Sequence, residues 1–200
     1  MGMVAVVAFM IGSVLPSYAT SRVAADSSWV LDLRHSQVQF QVPRLGFSQV
    51  TGRFDTFSMK VEMEEDDLST MSVSAEIDVN SIDTGIERRD THLRSDDFFD
   101  AEQHPVITFQ STAIQLHEPG HFEIIGALTM RGVTREVRFA TQVLGETVWN
   151  GKKRMAFQAT TTLDRTDYGV SWSRVTDRGG IIIGNDVTVV LSIELGEGDA

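Results

Sequence analysis

Apolar and polar residues alternate with a period of two along most of the chain. Val38, Phe40 and Val42 fall on one face and Gln37, Gln39 and Gln41 on the other. Successive side chains of a strand point to opposite faces, so this pattern predicts a strand with its apolar face inward. Met71, Val73, Ala75, Ile77 and Val79 repeat it, as do Phe122, Ile124, Gly126, Leu128 and Met130, and finally Val187, Val189, Leu191, Ile193 and Leu195. Further strands are expected around Trp29 to Leu33, Gly52 to Met63, Val106 to Thr112, Val133 to Leu144 and Met155 to Leu163, giving eight or nine in all. Turn residues separate them, at Asp66-Asp67, Glu118-Pro119-Gly120, Arg131-Gly132, Asn150-Gly151 and Gly179-Gly180. Asn150-Gly151 is the strongest of these, because both residues tolerate the positive φ of a two-residue hairpin. One stretch departs from the pattern. Thr84-x-x-Glu87 reads as a capping box opening a helix toward Leu93, and Ser95-Asp96-Asp97 as the start of a second helical turn that His104-Pro105 ends.

These elements leave many one-sided strands and only a short helical segment, near residues 84–103, to cover them. The sheet must therefore cover itself. A sandwich needs only about 100 residues. Strands of about nine residues, some 30 Å long, suit a tall closed antiparallel barrel better.

Length and composition then narrow the class. The chain has 200 residues, 42% of them hydrophobic, and no cysteine, so a single domain has to stand on its apolar core without disulfides, a zinc ribbon or thiol chemistry. No charged side chain occurs before Arg22, and Val4 to Leu15 is apolar apart from Gly12 and Ser13. With Pro16 and Ser17-Tyr18-Ala19 behind it, this run predicts a signal peptide over 1–19, cleaved after Ala19, although no Lys or Arg opens it. The expected organisation is a leader at 1–19, a linker at 20–28, a barrel at 29–196 and a tail at 197–200, in a protein exported to the periplasm. The formal charge of −11 repels polyanions, so nucleic acid is not an expected partner.

Several blocks resemble the YceI-like, polyisoprenoid-binding family. They are Trp29-Val-Leu-Asp32-x-x-His35-Ser36-x-Val38-x-Phe40, Thr51-Gly52-Arg53-Phe54, and Arg89-Asp90-Thr91-His92-Leu93-x-Ser95-x-Asp97-Phe98-Phe99-Asp100 with Pro105-x-Ile107-x-Phe109-x-Ser111. Gly126-x-Leu128-Thr129-x-x-Gly132-Val133-Thr134 and Leu163-x-Arg165-x-Asp167-Tyr168-Gly169-Val170 follow in order, so the likeness spans Ser28 to about Leu195. The resemblance implies an extended, lipocalin-like eight-stranded barrel in the periplasm, enclosing a polyisoprenoid or isoprenoid-quinone chain, with no catalytic residue and no cofactor. Arg44 stands where the family often has histidine, and would favour a phosphate or other anionic head group.

Burying a prenyl chain is worth about 0.8 kcal/mol per methylene-sized group before association costs, so a lipid site needs no charged anchor. It can consist only of inward apolar residues. The candidates are Phe40, Val42, Phe54, Ile77, Phe98, Phe99, Phe109, Leu128, Met130, Phe139 and Leu191, each of which could equally fill a solid core. Of Phe98 and Phe99, one is expected to plug the barrel end and the other to face the ligand. Arg44, Arg89 and His92 are candidates for its polar end. The partner expectations are an isoprenoid lipid, transient membrane contact and a homodimer. Two alternatives stay open: an enzyme acting on such a lipid through Arg89, Asp90 and His92, and a structural module with a filled barrel. His117-Glu118-Pro119-Gly120-His121 matches a zinc-protease motif, but that motif works on a helix, and Pro119-Gly120 between alternating strands predicts a hairpin turn. No metal site is expected.

Overall fold

In the computed structural model, which describes residues 26–64, 67–177 and 179–198, the alternating segments form eleven strands around one interior. The expected leader and its cleavage point lie outside the described residues. The strands are β1 (Asp26–Leu31), β2 (Gln37–Arg44), β3 (Ser48–Phe54), β4 (Phe57–Glu64), β5 (Ser72–Asp78), β6 (Ile82–Asp83), β7 (Val106–Leu116), β8 (His121–Met130), β9 (Val133–Trp149), β10 (Lys152–Asp164) and β11 (Asp186–Glu197), with a single α-helix, α1 (Glu87–Arg94). All pairings between them are antiparallel, and the order β1-β4-β5-β7-β8-β9-β10-β11 returns to β1, closing an eight-stranded barrel. Closure removes the free edges that an open sheet of this size would present.

Three staves of the barrel are bent, each built of two consecutive strands. The chain leaves β1 through a turn at Asp32–Ser36 and continues as β2, so β11 pairs first with β1 and then with β2. Buried Ser36 carries the ladder across the bend: its hydroxyl accepts from the Glu194 N–H at 3.0 Å. β3 and β4 form the next stave, where the sequence predicts one strand from Gly52 to Met63. The break falls at Asp55-Thr56, where the Asp55 N–H donates to the Ser81 carbonyl and the Thr56 carbonyl accepts from the Asp78 N–H at the end of β5. β5 and β6 make the third. β3 pairs with β6, and the 84–104 excursion follows β6 before the chain re-enters the barrel as β7.

Two expectations for that excursion need correction. Ile86, not Thr84, occupies the N-cap of α1 and makes no side-chain capping bond. The Thr84 hydroxyl and backbone N–H are both taken by the buried carboxylate of Asp90, the N–H at 3.0 Å. An acceptor inside the first turn thus outcompetes the capping box. Ser95 is the C-cap of α1 and not the start of another helix. The Phe98 and Asp100 N–H groups donate to its carbonyl, and the chain continues in turns.

Inward side chains form two packed groups. Trp29, Met63, Phe122, Met155 and Leu195 belong to one, at the β1 end; Phe40, Phe54, Leu128, Phe139 and Tyr168 belong to the other, under α1. The β1 end is tied by Arg154 Nη1, which donates to Asp32 Oδ2 at 2.9 Å and Glu194 Oε1 at 2.6 Å. That contact, with His35 beside it, lowers the Asp32 pKa to about 2.

Candidate functional site: an apolar cavity with a cationic mouth

The barrel is hollow, and side chains of both packed groups line the void. The cavity measures about 490 Å³ and its wall is almost wholly apolar, a volume within the usual range of about 300–1,000 Å³ for small-molecule sites. Trp29, Met63 and Met155 lie below it and do not line it, so the β1 end is closed by side chains while the α1 end gives access.

All eleven apolar candidates line this cavity. Phe40 and Val42 come from β2, Phe54 from β3, Ile77 from β5, Phe109 from β7, Leu128 and Met130 from β8, Phe139 from β9 and Leu191 from β11. Their rings pack in pairs, Phe40 with Phe54 at 5.7 Å between centroids and Phe109 with Phe139 edge-on at 5.5 Å. Two glycines make room for them: a Cβ at Gly52 would overlap the Phe40 ring, and one at Gly126 would overlap the Phe109 ring and the Gln110 carbonyl. Phe98 and Phe99 both reach the cavity from the turns after α1. Phe98 is buried against Trp172, at 5.2 Å between centroids, while Phe99 meets Phe54 edge-on at 6.1 Å.

The three polar-end candidates also border the cavity. Arg89 is engaged, donating from Nε to the Thr84 hydroxyl at 2.6 Å and from Nη2 to the Thr84 carbonyl at 2.7 Å. His92 is 2.7 Å from Asp97 Oδ2 and packs edge-on against Phe98 and Trp172. Arg89 and Asp90 therefore hold the β6–α1 connection. Arg44, exposed, has no side-chain partner among the described residues, and the same holds for Arg88, which also lines the cavity. Arg165 is buried and satisfied, donating to the carbonyls of Gly184 and Val170 and to Asn185 Oδ1; its burial lowers its pKa. Every charged side chain lining the cavity is basic, with no carboxylate among the described residues there.

The sequence reading missed Arg88, Arg165, Trp172, Ile182 and Ile183, which also line the mouth. The last three belong to residues 169–185, a stretch with almost no strand and so no alternation to reveal which side chains turn inward.

The zinc-protease-like motif lies at the other end of the barrel, between β7 and β8. The His121 N–H donates to the Glu118 carbonyl at 2.8 Å around Pro119 and Gly120, the latter at φ +78. This is the predicted turn, and it does not place the two histidines as successive turns of a helix would.

Comparison with known proteins agrees with this architecture. The YceI-like domain model matches residues 29–195. A UPF0312 protein of Staphylococcus aureus strain N315 is 32% identical over 170 residues, covering 84% of this chain and 96% of its own. Among solved structures, BcnA of Burkholderia cenocepacia superposes with a TM-score of 0.72 at 23% identity, over 82% of this chain and 98% of its own. A polyisoprenoid binding domain from Saccharophagus degradans gives 0.63 at 17%, over 86% and 99%. The family-model match covers nearly the whole barrel, and the chain belongs to the YceI-like family.

Proposed function

We propose that this protein holds a long-chain isoprenoid lipid, a polyisoprenoid or isoprenoid quinone, inside its barrel, and that it transports, stores or buffers that lipid in the periplasm without chemical change. The observation that carries this reading is the apolar cavity, closed at the β1 end and ringed by arginines at the other. An apolar chain would lie along the barrel axis, and its polar end would rest near Arg44, Arg89 and His92. Membership of the family and the fold shared with a polyisoprenoid binding domain support the same choice of ligand. Carriage is favoured over catalysis because Arg89 and Asp90 are committed to Thr84, and the described residues lining the cavity offer His92 no serine, cysteine or carboxylate to act with.

Native mass spectrometry of protein purified from its own host, with lipid extraction, tests this. The expected result is one isoprenoid lipid per barrel, released intact. Protein without copurifying lipid that also fails to bind prenyl chains in vitro would refute the proposal, and a chemically altered lipid after incubation would point to an enzyme.

A further inference from the structure

The end of the barrel that opens to the cavity exposes large apolar side chains where a freely soluble surface would carry polar ones. Phe47, at the tip of the β2–β3 hairpin, is 83% exposed; Val175 is 71% exposed, Ile181 60% and Ile86 53%. They belong to one connected surface. The Leu45 N–H donates to the Ile182 carbonyl at 2.9 Å, and Arg44 bridges Ile183, so the hairpin tip is fastened to the segment that pairs Val175 with Ile181. Ile86 borders the cavity on the helix side of the mouth. The tip is also held in a defined shape, with Leu45 at φ +56 and Gly46 at +75. Around these residues stand Arg44 and Arg88, without partners among the described residues, and Arg174, over the Trp172 ring at 6.0 Å. Most acidic side chains nearby are engaged, Asp83 with Arg53, Glu87 with Arg94 and Asp90 with Thr84, while Asp177, exposed between Val175 and Ile181, is the carboxylate that the basic groups of the mouth must outweigh.

We propose that this mouth is a docking surface for an anionic lipid bilayer, with Phe47, Val175 and Ile181 entering the interfacial region and Arg44, Arg88 and Arg174 facing lipid phosphates. The inference rests on the lipid-carrier reading for its purpose, while Phe47, Arg174, Val175 and Ile181, which carry it, lie outside the cavity lining. An apolar side chain flanked by basic ones is the combination that peripheral proteins use at such interfaces. Charge complementarity selects the occupant, because the chain as a whole carries −11 and yet, among the described residues, the charged side chains lining its cavity are all basic. The overall charge repels an anionic surface at long range, so the mouth would be the end that approaches it. Leu144, Val148 and Trp149 are exposed as well, on the β9–β10 ribbon, but they do not border the cavity and cannot pass lipid to it.

The test compares the intact protein with the double variant Phe47→Ser, Ile181→Ser, neither position lining the cavity. Flotation with mixed phosphatidylglycerol–phosphatidylethanolamine vesicles should recover the wild type, and recovery should fall by roughly tenfold in the double variant. Wild-type recovery should fall similarly in about 1 M salt, where charges are screened beyond about 3 Å. A fluorescent farnesyl alcohol analogue, titrated without vesicles, should bind both proteins alike, which also establishes that the variant is folded. Equal flotation of variant and wild type, or no flotation of the wild type, would overturn docking. So would a variant that dissociates a wild-type dimer while the wild type ignores vesicles, since the surface would then join two copies. Vesicle binding that depends on Phe47 in a protein unable to bind the analogue would uphold docking and sink the carrier reading.

Discussion

Tyr168 carries the least satisfied polar group of the upper core. Its side chain is 2% exposed, and its hydroxyl has no hydrogen-bond partner among the described residues. An unpaired buried hydroxyl costs about 1–3 kcal/mol, while the ring still contributes apolar burial. Tyr168→Phe should therefore leave stability unchanged or raise it by up to about 2 kcal/mol in urea denaturation at neutral pH. A second signature is set by ionisation. Burial, more than the neighbouring Asp167, raises this phenol from 10.0 to about 12. The unfolded chain gives up the proton first, so the tyrosine's contribution is intact below pH 10 and declines as the pH rises from 10 to about 12. Unfolding free energies followed across that window should lose this decline in the phenylalanine variant; an unchanged slope would mean that Tyr168 does not titrate as its burial requires.

The same physics works between elements where Arg154 joins β10 to the β1–β2 bend and to β11. Because Arg154 and then His35 lower Asp32 from 3.8 to about 2, the network's contribution is present above pH 3.8 and is lost as the pH falls toward 2. Asp32→Asn should flatten acid unfolding in that window and lower stability at neutral pH, by leaving Arg154 with one carboxylate instead of two. Nothing in the spacing of Asp32, Arg154 and Glu194 announces this contact, since residues 32 and 154 meet only when the barrel closes. The staves themselves were legible for the opposite reason: Gln37 to Val42 carry their register locally, in side chains that alternate whatever the rest of the chain does. The bends were less so. Ser36 marks one through its hydroxyl, which accepts from the Glu194 N–H, and Asp55 another through its backbone N–H, donated to the Ser81 carbonyl, and neither contact leaves a periodic trace. At α1 a local motif was misleading, because Thr84 fits a capping box in sequence and bonds Asp90 in space.

At the scale of the whole molecule, the question that alternation could not answer is whether inward residues touch one another or surround a void. Phe40, Phe109 and Leu191 would be read the same way in either case, and the cavity became visible only when the widths of eight paired strands were assembled. Its size gives the means to test what it is for. Ala159, on β10, is 4% exposed and faces the cavity. In a solid core, Ala159→Phe would force neighbours out of their rotamers at a cost of about 1–3 kcal/mol. Here the added ring has space to occupy, so it should fill part of the void, leaving the melting temperature unchanged or raised, while taking room from a bound chain. The expected outcome is a folded protein whose affinity for prenyl chains falls with chain length, long chains losing most because they need the full depth of the barrel. Calorimetric unfolding and titration of prenyl alcohols of increasing length measure the two effects separately. If the variant is destabilised and binds every chain as before, the void is not the binding site and the lipid lies elsewhere on the barrel.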